Sequence, residues 1–137
     1  MKTEKTNLII FHATRILAAV ILLQTLYFKF TGSPESIYIF STIGIEPWGR
    51  FAVGTAELLA GALLLIRATA WLGAVMALGL MAGALMMHLT LLGIVVQNDG
   101  GYLFALACVV TLSSAYVLWH ERHLATIRLL VLIKRFI

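Results

Sequence analysis

Four long apolar stretches occupy most of this 137-residue chain, and three of them carry an ionisable group well inside: Arg15, Glu57 and His88. An apolar run of roughly 20 residues is what a helix needs to cross a bilayer. A charge within such a run is costly, so it usually faces a protein interior or cavity and often has a function. These two facts predict a membrane-embedded helical fold with polar groups turned inward. Composition agrees. Hydrophobic residues make up 61% and charged residues 12% of the chain, against about half and a quarter in soluble domains.

The stretches run about 8–28, 49–66, 70–96 and 102–119. The first is about twice as long as an ordinary signal-peptide core and no A-x-A-like site follows, so it reads as an uncleaved span. Between the first two spans, Ser33-Pro34-Glu35-Ser36 has the form of a helix start, with Ser33 as N-cap and Pro34 in the first turn. The apolar residues after it predict a short interfacial helix, with Tyr38 and Trp48 at headgroup level. Arg67-Ala68-Thr69 allows only a tight turn, and Gln97-Asn98-Asp99-Gly100-Gly101 is a second turn. The expected fold is an all-α, polytopic membrane protein. Its four-helix transmembrane bundle covers residues 1–119, and a basic amphipathic helix over 120–137 lies on the membrane surface. In that tail Leu124, Ile127, Leu130 and Val131 recur at helical spacing, with Arg122 and Arg128 between them.

Lys and Arg distribution predicts orientation. With both termini inside, Lys2, Lys5, Arg67, Arg122, Arg128, Lys134 and Arg135 share one side, leaving Lys29 and Arg50 on the other. The positive-inside rule then places both termini in the cytoplasm. The net charge of +4 points to anionic lipid at the tail rather than to nucleic acid. Lone Cys108 excludes an intramolecular disulfide and a CxxC redox pair.

Depth follows from a rise of about 1.5 Å per residue. Glu57 and His88 both fall roughly 12–13 Å below the outer surface, and Gln24 about 7 Å below it. Gln24, Lys29, Glu57 and His88 are therefore expected to converge in the outer half, as ligand-binding or proton-relay residues. A buried carboxylate there needs a cation or a donor nearby, and Lys29 and His88 are the candidates. A clamp that only fixes helix register fits the same residues. Arg15, roughly 10 Å deep from the inner side, is expected to snorkel to headgroups or to bind an anionic group. Gly54, Gly61, Gly79 and Gly83 are expected to pack helices closely, as small residues do in lipid. His12 and His120 do not have spacing that demands haem, and His88 lacks the neighbours of a zinc site, so no metal is expected. No phosphate loop or nucleophile elbow is present.

Together, Arg15-Ile16-Leu17 opening the first span, Lys29 closing it, Gly44-Ile45-Glu46-Pro47, Gly54-x-x-Glu57 followed by Gly61-Ala62-Leu63-Leu64-Leu65, Arg67 and His88 resemble the DoxX-like family of small bacterial four-helix membrane proteins. The resemblance covers roughly residues 12 to 119. It implies a bacterial inner-membrane protein linked to respiratory or redox complexes, working with quinone or with partner subunits rather than as an enzyme alone. Two features depart from the family pattern: the bulky Gln24-Thr25-Leu26-Tyr27-Phe28 run, and a basic tail in place of a Gly-rich close. A proton, ion or solute transporter subunit, functioning as a homo-oligomer, and a scaffold or chaperone for membrane helices are the alternatives.

Overall fold

The computed structural model describes residues 1–136, setting aside the side chains of Leu124, Ala125 and Arg128. It is helical throughout: α1 (Lys2–Thr31), α2 (Pro34–Ile43), α3 (Trp48–Leu65), α4 (Ala70–Met87) and α5 (Tyr102–Phe136). Four segments are long and apolar enough to cross a membrane: Lys2–Thr31, Trp48–Leu65, Arg67–Leu92 and Tyr102–His123. This is the architecture of a multi-pass membrane protein. The four long helices form a ring in which α1 packs on α3, α3 on α4, α4 on α5, and α5 back on α1.

Local chemistry sets the boundaries. Gly32 ends α1 in the left-handed conformation, φ 68°, with its N–H donating to the Phe28 carbonyl, a conformation glycine adopts without steric cost. The expected cap of α2 is present. Ser33 Oγ accepts from the Ser36 N–H at 3.3 Å, and Pro34 begins the helix. A 3-10 turn at Arg67–Thr69 joins α3 to α4, and Thr69 Oγ1 tethers it by donating to the Leu63 carbonyl at 3.0 Å.

The core is built from small side chains. Ala18, Ala19, Ala60, Ala70, Ala74 and Ala77 are fully buried, together with Phe11, Leu22 and Leu64. Without a hydrophobic drive between helices in lipid, such residues gain stability by letting backbones approach closely. The tightest approach to the backbone of a neighbouring helix is at Gly73. A Cβ there would lie 2.7 Å from the Leu64 nitrogen and 2.9 Å from the Ala60 carbonyl oxygen. Gly54, facing Phe30 and Lys29, and Gly61, facing Leu23, also abut α1 as expected. Gly79 and Gly83 do not pack helices. Nothing approaches their Cβ positions within 4 Å, and both line a cavity.

Two spans differ from expectation. The third stops being α-helical at Met87, continues as a π-turn over His88–Leu92, and leaves the helix at Gly93, φ 77°. Residues 93–101 then fold back over the end of the bundle, so Val96 is buried while Ile94 and Val95 remain exposed. The apolar run alone did not reveal this reversal. The fourth span and the tail are one continuous helix of 35 residues, about 52 Å long, with no break at 120. Beyond Glu121 its described side chains, among them Ile127, Leu130, Val131 and Phe136, are exposed. Leu124 and Arg128, two residues of the expected amphipathic face, lie outside the described side chains.

Candidate functional site

At the end of the bundle opposite the termini, residues of α1–α5 line a partly open cavity of about 480 Å³. Its walls are mainly apolar and include Leu22, Ile39, Leu80 and Leu106, with Phe40 of α2 over the top. Polar groups gather in a few places: Thr25, Lys29, Glu57, His88, Glu35 and Asp99. A mostly apolar concavity with a few convergent polar groups is the usual form of a small-molecule site.

The central element is an ion pair. Lys29 Nζ lies 2.9 Å from Glu57 Oε2, and both side chains are largely buried. Thr25 Oγ1, one turn before Lys29, donates to the same carboxylate oxygen at 3.2 Å. The expected Lys29–Glu57 convergence is therefore present. Gln24 is a correction. It is exposed on α1 and does not line the cavity, and Thr25 occupies the role expected of it. His88 reaches the cavity but does not clamp Glu57. Its Nδ1 bonds the Gly93 carbonyl at 2.8 Å. A carbonyl can only accept, so Nδ1 carries the proton. Nε2 is then the nitrogen left for a ligand, with the ring held edge-on to Phe104.

Arg50 entered the sequence reading only as an outer-side charge, but it is a buried anchor. Its Nε donates to both Glu46 carboxylate oxygens, at 2.9 and 3.0 Å, and Nη2 lies 2.8 Å from Oε1. Nη1 donates to the Lys29 carbonyl, one of the four carbonyls that the end of α1 leaves without an intrahelical partner. Arg50 thereby fixes the turn of α1 that presents Lys29. The i,i+4 spacing of Glu46 and Arg50 was the available signal. Arg15 plays the same part at the opposite end. Its Nη1 donates to the carbonyls of Leu64 and Leu65, at 2.9 and 2.7 Å, while Nε donates to His12 Nδ1. Its described partners are thus the end of α3, His12 and the Phe11 ring, whose centroid lies 5.9 Å from the guanidinium carbon.

Asp99 closes the site from the last loop. Oδ1 accepts from the N–H groups of Val96 and Gly101, and Oδ2 from that of Leu103, all at 2.8–3.0 Å. Burial alone would push this carboxyl up, but the three backbone donors and nearby His88 outweigh it and hold it below its ordinary 3.8. Glu35, across the mouth, goes the other way, raised by burial and then by the Asp99 charge. The two directions separate the pair, with Asp99 the firmer anion. Because the folded value of Asp99 is lowered, its stabilisation is complete above pH 3.8 and is lost as pH falls through the lower folded value. Asp99→Asn should keep the Oδ1 contacts to Val96 and Gly101 but lose the acceptor for the Leu103 N–H, costing about 1–2 kcal/mol. Faster amide exchange at Leu103, with α1 and α3 unaffected, is the measurement that checks it.

Comparison of the chain with family models, with curated proteins and with solved structures finds no match.

Proposed function

We propose that this chain is a DoxX-like inner-membrane subunit that holds a small amphipathic molecule, of the quinone type, as an accessory component of a redox-linked membrane complex. The observation that carries the reading is the cavity of about 480 Å³ with the Lys29–Glu57 pair set into otherwise apolar walls. Such a pocket suits a ligand with an apolar body and a compact polar head. The residues fit a quinone in both hydrogen-bonding senses. The Lys29 ammonium offers donors to a carbonyl, while Glu57 and His88 Nε2 offer acceptors to a hydroxyl. A bound quinone would supply electron transfer; the chain's own residues would bind the head, orient it and hold protons beside it. Gly79 and Gly83 give the apolar body room, because no side chain fills that wall.

The orientation proposed is both termini cytoplasmic, from the Lys and Arg distribution. The end of α5, with Arg122, Lys134 and Arg135 among exposed apolar side chains, is assigned to anionic lipid.

The test is native mass spectrometry of gently purified protein, paired with organic extraction. A stoichiometric quinone or similar lipophile, present in wild type and lost from His88→Ala and Glu57→Gln, is the expected result. Protein that carries no such molecule, even after addition of a short-chain quinone, contradicts the reading.

A further inference from the structure

The floor of the cavity leads to an unexplained pair of polar groups. On α5, Leu106, Ala107 and Val110 line the cavity. One turn further from the cavity lies Ser114, 0% exposed, and two turns beyond that lies Glu121, 5% exposed. Residues seven apart on a helix fall on nearly the same face, so both belong to the buried stripe that includes Val110 and Val117. Ser114 Oγ and Glu121 Oε2 are the buried side-chain polar atoms without a hydrogen-bond partner among the described residues. A buried orphan oxygen costs about 1–3 kcal/mol, and native structures usually relieve that cost with ordered water. Ser114 is small enough to serve helix packing, but packing leaves its hydroxyl, and the Glu121 carboxyl on the same stripe, without a partner among the described residues.

We infer that Ser114 and Glu121 form the inner half of a proton path through the bundle, joined at Val110 to the polar cavity. The outer half would run through the polar groups of the cavity lining, from Glu35 and Asp99 to His88, Lys29 and Glu57. A carboxyl takes up and releases a proton, and a hydroxyl accepts one while donating another. The two groups are about 10 Å apart along the helix, so the path calls for water between them, hydrogen-bonded to the orphan atoms. No bond other than those to the moving proton is made or broken.

At the terminal end the ionisable neighbours are His12 and Arg15 of α1, Arg67 of the α3–α4 turn and His120 beside Glu121 on α5; the first is electrostatically coupled to the other three. α4 brings none, since Ala70–Met87 contains no ionisable residue. The inference uses the cavity but not any ligand within it.

Proton flux into liposomes is the test. The full chain is reconstituted with a pH-sensitive dye inside, and a pH gradient is imposed with the membrane potential clamped. Wild type should dissipate the gradient faster than protein-free liposomes. Glu121→Gln and Ser114→Ala should each return the rate to near the protein-free value, and Glu121→Asp should keep most of the flux. Ser114→Ala removes one oxygen that has no partner, so it also serves where Glu121→Gln fails to fold. Wild type no faster than empty liposomes overturns the path, as does undiminished flux in folded Glu121→Gln or in Ser114→Ala. A chain that retains a quinone but leaves the gradient intact sinks this inference and not the ligand reading. One that conducts yet retains no quinone does the reverse.

Discussion

Glu57→Gln should destabilise the protein by about 3–5 kcal/mol, the cost of leaving a buried charge without its partner, and should abolish ligand retention. The loss arises chiefly from Lys29. Its ammonium lies 2.9 Å from the carboxylate and, once Glu57 is neutral, has little water to replace it. Thr25 compensates little, because its neutral hydroxyl, whose one proton is shared between the Leu22 carbonyl and Glu57, offers the ammonium a dipole and not a charge, and Arg50 holds the Lys29 backbone in place. The logic of buried pairs predicts a second result. Replacing both partners, Lys29→Met with Glu57→Leu, should recover most of the lost stability, since an apolar pair of similar volume is often as stable as a buried ion pair. Ligand retention should not return. A double-mutant cycle on unfolding in detergent checks this. A double variant as unstable as the single one would place the cost in packing instead of charge.

Gly73→Ala should cost about 3 kcal/mol, whereas Gly79→Ala, six residues along the same helix, should stabilise the fold by about 0.5–1 kcal/mol. The two substitutions add the same methyl group in the same kind of helix. At Gly73 that methyl meets backbone of α3 at 2.7 and 2.9 Å, and backbone cannot turn aside as a side chain can. The helices must separate, and the close packing around Ala60 and Ala74 goes with them. At Gly79 nothing lies within 4 Å, so only the gain in helix propensity remains. The methyl there enters the cavity, so Gly79→Ala should weaken ligand retention while raising the unfolding midpoint. Paired melting curves with extraction of bound lipophiles report both effects.

Much of this was visible in the residues. Apolar run length placed four spans, and Ser33-Pro34 announced α2, because both signals are local. Glu57 was matched with His88 by depth, which is linear in sequence, and Lys29 was paired with Glu57 as the cation that a buried carboxylate needs. Depth does not give rotation. Gln24 and Lys29 are five residues apart, which turns them about 140° from each other on a helix, whereas Thr25 is within about 40° of Lys29. The information favouring Thr25 was present, but depth counting does not use it. Small-residue spacing gave the opposite error: Gly79 and Gly83 have the interval of a packing motif, yet a glycine opens space as readily as it admits a neighbour. Gly73 was overlooked although it follows a tight turn, where antiparallel helices are closest. The π-turn at His88 and the clasp by Asp99 depend on how residues 93–101 fold back, which no periodic signal encodes. Ser114 and Glu121 passed as ordinary span and tail residues, since only burial without a partner distinguishes them.

The central claim is that the cavity beside Lys29 and Glu57 holds an amphipathic ligand. Photolabelling of the membrane-embedded protein with an azido-quinone, followed by peptide mapping, addresses it most directly. The account predicts adducts on cavity residues such as Ile39, Leu80 and Leu106, suppressed by excess unlabelled quinone and absent in Glu57→Gln. Adducts confined to outward-facing residues such as Val20, Leu59 and Leu112, unaffected by competitor, would contradict it.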